Sequence, residues 1–280
     1  MQVQHLFIIS FSQGSGGEHK PPKKSAKGLF YKYCDMPGID SVTWYHVGWD
    51  QKAQVRAKWE RANTEDHQAL RDRGLLRDAD QAPAAKERKP DAGGAGAYIV
   101  AHAAQCQVAG INAFSLAQKL SSIKALPPLR KIEFIACHAA NFDQEAHDNP
   151  VMRDIRLASD EDEAEPGRWV HGLDVEELSF ISQFCCCYAE SLEDPRDLKV
   201  AGWDCFVSVA HPKKDPKDMP ANFEPSMTGK KFIRQGGPPT FPSKPRHYKA
   251  KKMFRWQVTG EKRSTVAPIT RAEWSDKLGK

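Results

Sequence analysis

Residues 97–141 read AYIVAHAAQCQVAGINAFSLAQKLSSIKALPPLRKIEFIACHAAN, and the fold follows from this stretch. Residues 97–101 are an unbroken apolar run that ends at His102, as expected of a strand covered on both faces. Asn112 is a helix cap, and Ala113, Leu116, Ala117, Leu120 and Ile123 fall at helical spacing. Pro127 and Pro128 end that helix. Residues 132–136 form a second apolar run, broken only by Glu133, and it ends at Cys137. Strand, helix, strand is a βαβ unit. Such a unit brings the C-terminal ends of both strands to one sheet edge, where open α/β sheets bind ligands. His102 and Cys137 each occupy such an end.

The residue types suit one chemistry. A thiol titrates near 8.5 and acts as a nucleophile when deprotonated. A neighbouring imidazole can take its proton and later return it to a leaving amine. Backbone N–H groups at the strand ends can hold the developing oxyanion. Taken singly, a strand-end Cys or His is more often structural. The pair on consecutive strands is the specific signal.

The flanking sequence extends the α/β pattern. Residues 4–11 read as a first core strand, residues 14–27 as a loop, and residues 42–47 as a short strand. Residues 51–73 are helix-forming, and residues 78–96 read as a surface linker rich in Ala, Pro, Lys and Gly. After an acidic segment at 160–165, Asp174 and Glu177 have capping-box spacing. The helix they open carries Leu178, Ile181, Cys185, Tyr188 and Leu192. Cys185, Cys186 and Cys187 lie on it and read as small apolar packing residues. Residues 200–209 read as a further strand, and 231–234 with 253–258 as a terminal hairpin or flap.

Composition narrows the function classes. The chain has 280 residues and seven cysteines. An odd count with three in succession is a poor disulfide framework, so reduced thiols are expected. No CxxC, HExxH or GxSxG is present, and no metal site is expected. No apolar run approaches the ~20 residues of a membrane span. Residues 1–10 lack a signal peptide's basic start and cleavage site. The expected location is the cytoplasm of the producing cell, with export by a signal-independent machine left open. From residue 211 onward the chain has 17 Lys and Arg against 6 Asp and Glu, whereas the whole chain has 41 against 36. The basic region reads as a solvated surface or an attractor of anions, and nucleic acid is not the expected partner. The expected organisation is a core over residues 1–210 and a basic C-terminal flap over 211–280.

The segments AYIVAHAAQ (97–105) and KIEFIACHAAN (131–141) resemble the clan CD, or caspase-like, cysteine peptidases. Their phrasing is most similar to the self-processing peptidase domains of bacterial toxins. The resemblance covers residues 97–141 well and extends loosely to residue 209 through the order of elements. It implies a caspase-like three-layer α/β sandwich with a mostly parallel central sheet and a C-terminal flap. It also implies peptide-bond hydrolysis in a bacterial effector or toxin-like protease acting on a protein or peptide substrate. It makes Cys137 the nucleophile and His102 the general base or acid, with the backbone amides of Cys137 and Ala103 as oxyanion donors. The family has glycine where Ala103 stands, and His138 after the nucleophile is a second departure, expected to face solvent. The resemblance places the substrate pocket at Trp203 and Asp204, where an acidic side chain would favour a basic P1 residue. It requires no cofactor. It implies an inositol polyphosphate activator on the basic flap, through Lys230, Lys231, Arg234, Lys249, Lys251, Lys252 and Arg255. The alternative is a catalytically inactive caspase-like module that binds through its basic region. A metal site on Cys137, His138 and His102 is a third reading.

Overall fold

The computed structural model describes residues 3–12, 21–34, 36, 39, 41–48, 58–59, 94–104, 107–123, 126–141, 170–173, 179–195, 197–210, 229–234, 250–258 and 263–275. Seventeen elements are assigned in them. In chain order they are β1 (His5–Ser12), α1 (Pro21–Cys34), β2 (Ser41–Gly48), β3 (Lys58–Trp59), β4 (Ala95–Val100), β5 (Ala103–Ala104), β6 (Gln107–Val108), α2 (Ala113–Ser121) and β7 (Leu129–Ile135). They continue as β8 (Val170–Leu173), α3 (Phe180–Glu190), β9 (Lys199–Trp203), β10 (Phe206–Val209), β11 (Lys231–Arg234), β12 (Lys251–Val258), β13 (Arg263–Pro268) and α4 (Arg271–Ser275).

Nine strands form one sheet in the order β3-β2-β1-β4-β7-β9-β12-β13-β8. The five central neighbours β2, β1, β4, β7 and β9 are mutually parallel. The chain moves outward from β1 to β2 and then returns to the other side of β1 for β4. Successive crossovers therefore run in opposite directions. Because crossovers between parallel strands are right-handed, their helices fall on opposite faces of the sheet.

The burial pattern follows this winding. Alternate residues of a strand face opposite sides. Leu6, Ile8, Val42, Trp44, Val100 and Ile135 pack in one core with Ala26, Leu29 and Phe30 of α1. Phe7, Ile9, Ile99, Ile132, Phe134 and Val200 pack in the opposite core with Leu116 and Leu120 of α2 and Phe180, Phe184 and Tyr188 of α3. The fold is an α/β sandwich of three layers. Both faces of the middle strands are covered, which is why they read as continuous apolar runs.

Asn112 caps α2, its Oδ1 accepting from the Ser115 amide at 2.8 Å. The α3 helix is described from Phe180; Asp174 and Glu177, where the capping-box spacing placed its opening, lie outside the described residues. Its cap is Ser179, which accepts from the Ser182 amide while the Ser182 hydroxyl accepts from the Ser179 amide. Residues 180–189 of α3 are buried on every side between α2 and the sheet. The three cysteines are thus core residues, and burial raises all their thiols.

Other expectations change. The loop expected over 14–27 gives way at Pro21 to α1, where proline suits a helix start because the first amides need no helical partner. Lys58 and Trp59 pair with β2 as strand, inside the segment expected to be helical; the rest of 51–73 lies outside the described residues. So do most of the expected linker at 78–96 and the acidic segment at 160–165. The strand expected over 200–209 is two strands in different sheets, broken at Asp204 and Cys205. The expected pairing of 231–234 with 253–258 does not form. Instead β11 pairs antiparallel with β10, and β12 pairs antiparallel with both β9 and β13. Sheet hydrogen bonding therefore continues across residue 210 into the basic C-terminal sequence.

Candidate active site

The β4–β7 register aligns Val100 with Ile135. Pairing persists one step further, where the Ala101 amide donates to the Ile135 carbonyl at 3.3 Å. His102 and Cys137 each lie two residues beyond the aligned pair. Neighbouring strands about 4.8 Å apart thus deliver both residues to the same edge. Val100 and Ile135 themselves face the α1 layer.

Beyond β4 the chain turns into the β5–β6 hairpin, closed where the Ala109 amide donates to the His102 carbonyl at 2.8 Å. The His102 ring is half-buried, and its Nε2 is shut off from solvent. Ala103 pairs with Val108, and its φ is not positive, so an L-residue sits there without the strain that would call for glycine.

Beyond β7 the chain makes a tight turn. His138 takes a φ of 58°, a left-handed conformation unusual for a side-chain-bearing residue. Three amides hold the turn: His138 N donates to Cys205 O at 3.2 Å, Ala140 N to Trp203 O at 3.1 Å, and Asn141 N to His138 O at 3.1 Å. His138 is half-buried rather than solvent-facing. Its Nδ1 lies 3.2 Å from the Asp204 carbonyl and 3.1 Å from Asn141 Nδ2, and its ring stands edge-on to Phe206 at 4.7 Å. Protonated, Nδ1 donates to the carbonyl; unprotonated, it accepts from the amide.

Cys137 is half-buried, with Sγ 3.8 Å from the Val207 carbonyl. Burial pushes its thiol up, and the Arg234 charge opposes that rise. Cys205 is also near: burial raises its thiol to about 12, with Asp204 and Cys137 adding to the shift.

The expected pocket residues separate. Trp203 is only 2% exposed and packs in the α1-side core, where the Lys251 ammonium lies 5.7 Å from its ring. Asp204 is half-buried, and its Oδ1 is closed to solvent. The basic residues separate too. Lys231 and Lys251 point inward and share the buried Glu133 carboxylate, at 2.7 and 3.1 Å. Burial would raise the Glu133 carboxyl, but the two ammonium groups overcome this and hold it at about 2. Burial lowers Lys251 to about 8, against the pull of Glu133. Tyr98, hydrogen-bonded to Tyr33 at 2.7 Å, lies beside Lys231 in the same cluster. Lys230 and Arg234 are exposed, Lys252 and Arg255 are half-buried, and Lys249 lies outside the described residues.

Phe206, Val207 and Cys205 were not legible as neighbours of Cys137. They lie about 70 residues further on and arrive only because β9 pairs with β7 and β10 leaves β9 at a bend. No helix among the described residues is long and apolar enough to cross a membrane. No protein-family model matches the chain, and a search of curated proteins gives no match.

Proposed function

We propose that this chain is a cysteine endopeptidase of caspase-like build, with Cys137 as the nucleophile and His102 as general base and acid. The observation that carries the reading is the β4–β7 register, which puts the two residues at equal steps past Val100 and Ile135 on one edge of a parallel sheet. The raised Cys137 thiol fits this division of labour. A buried thiol is protonated at neutral pH, so the site needs a base.

In the proposed reaction, His102 takes the Cys137 proton as sulfur attacks the scissile carbonyl carbon. The carbonyl π-pair moves onto oxygen. The Cys137 amide, at the turn where the chain leaves β7, is the proposed oxyanion donor. Collapse breaks the C–N bond, and the imidazolium gives its proton to the departing amine. Water, deprotonated by His102, then attacks the thioester. Acid is released, and the proton returns to sulfur.

Cleavage of a diverse peptide library, read by mass spectrometry, tests the proposal. Cys137→Ala and His102→Ala should each remove the cut products while the fold is retained. A Cys137→Ala protein that cuts as well as the parent would sink it.

A further inference from the structure

Two thiols meet where β7 and β9 end. Cys137 stands in the turn after β7, and Cys205 stands in the bend between β9 and β10, so neither belongs to a strand. The His138 amide donates to the Cys205 carbonyl at 3.2 Å, which bonds the residue after one cysteine to the other. Two residues on, the Ala140 amide donates to the Trp203 carbonyl at 3.1 Å and keeps the segments side by side. The Val207 carbonyl, two residues after Cys205, lies 3.8 Å from Cys137 Sγ. Facing segments of this kind are what a disulfide bridges, its Cα atoms being about 4.4–6.8 Å apart.

The two sulfurs differ in access. Cys137 is half-buried, whereas Cys205 is 1% exposed. A small oxidant entering from solvent therefore meets Cys137 first. The Arg234 charge acts on the Cys137 thiol and favours its anion, while burial, with Asp204 and Cys137 adding to it, keeps Cys205 protonated. Cys205 packs with Val207 in the α1-side core. Cys185, Cys186 and Cys187 lie across the sheet in the opposite core. Of the five cysteines whose side chains are described, Cys205 is thus the partner within reach of Cys137.

We propose that Cys137 and Cys205 are a redox pair that a hydroperoxide closes into a disulfide, silencing the nucleophile reversibly. The inference rests on the peptidase reading for the reactivity of Cys137. The Cys137 thiolate, its proton held by His102, attacks a peroxide oxygen. An S–O bond forms, the O–O bond breaks, and the departing oxygen takes the proton from His102 and leaves as water or alcohol. Cys137 is oxidised to a sulfenic acid and the peroxide is reduced. Cys205 sulfur then attacks Cys137 sulfur. The S–S bond forms, the S–O bond breaks, and hydroxide leaves with the Cys205 proton as water. A dithiol reopens the bond by exchange. Without Cys205 the sulfenic acid goes on to sulfinic acid, which thiols do not reduce. Because both cysteines lie outside strands, the bridge closes by adjustment of a turn and a bend and leaves the sheet in place.

The test treats the full chain with hydrogen peroxide, blocks the remaining thiols with iodoacetamide and maps the peptides by mass spectrometry. A linked pair containing Cys137 and Cys205 should appear, lighter than its two thiol peptides together by two hydrogen atoms. Dithiothreitol should return both free peptides, and with them any cleavage of a peptide library to the untreated level. Cys205→Ala should cut as the parent does before treatment. After peroxide, its Cys137 should be trapped by dimedone as the sulfenic acid and then gain two oxygen atoms, with no recovery in dithiothreitol. Cys205→Ser, closer in size, takes its place if the alanine variant does not fold. Cys137 left unbridged in the parent, or bridged to Cys34 or Cys106, overturns the pair. The peptide map does not depend on cleavage. A parent that cuts no library peptide yet forms the bridge sinks the peptidase reading and upholds the pair; one that cuts but forms no bridge sinks the pair alone.

Discussion

The carboxylate of Glu133 sits 2.7 Å from the ammonium of Lys231 inside the protein, and Glu133 is only 4% exposed. Glu133 is the one interruption in the apolar run of β7, four residues before Cys137. Lys251 completes the cluster from β12, so three strands meet at a single carboxylate. Removing that carboxylate strands two buried ammonium groups. Glu133→Ala should cost about 3–5 kcal/mol, the scale of breaking a buried ion pair, read from denaturant unfolding. Replacing all three residues by apolar ones of similar size should cost much less, because no charge is then left unpaired.

The same cluster sets an acid limit. Glu133 titrates at about 2 in the folded protein and near 4.3 when unfolded. A depressed folded value means stability that is present above the unfolded value and is lost as pH falls toward 2. Unfolding free energy should therefore drop through that window. In a variant with Glu133, Lys231 and Lys251 all made apolar, this part of the drop should vanish.

At the alkaline end the sign is reversed. Burial raises the thiols of Cys185, Cys186 and Cys187, the last to about 12. Unfolded thiols ionise near 8.5. The unfolded state then loses protons that the folded state keeps, so stability should fall as pH rises above that value. Cys187→Ala should flatten the fall in urea titrations between pH 8 and 10, conditions set about the unfolded thiol value.

The seat of α1 depends on Gly28. A Cβ there would lie 2.5 Å from the Ala210 carbonyl oxygen, which is backbone and cannot swing aside. Ser25 fixes the same contact by accepting from the Val209 amide at 3.3 Å. Gly28→Ala should destabilise by roughly 1–3 kcal/mol, the usual cost of overpacking, even though alanine is the better helix former. Calorimetry should show a lower Tm, and an unchanged Tm would argue against this close approach.

Asn112 gives a smaller and cleaner effect. It caps a helix of nine residues, too short to be stable alone. Asn112→Ala should cost about 1 kcal/mol, whereas Asn112→Asp or Asn112→Ser should cost a fraction of that. Denaturation midpoints of the three variants provide the check.

Much of the fold was legible because its signals are local. The run at 97–101, the Asn112 cap, the helical spacing through Leu120 and the run ending at Cys137 each depend on neighbours within one or two turns. The α1 start was missed because residues 14–27 combine glycine and lysine-rich text, whose loop propensity is overridden where Ala26, Leu29 and Phe30 meet the sheet. The Ser179 cap of α3 was missed because its partner at the third position is Ser182 rather than the Glu or Gln of the usual capping box.

By itself the sequence determined the βαβ unit and brought His102 and Cys137 to strand ends, since periodicity, caps and chain direction are properties of contiguous residues. Only the tertiary structure decided what surrounds them. Lys231 and Lys251 turn inward to Glu133, about 100 residues earlier, whose carboxylate both ammonium groups reach. Arg234 stands beside Phe206 because β11 pairs with β10 rather than with β12. Strand partners are chosen by burial of whole faces across long loops, and no short stretch of sequence encodes that choice.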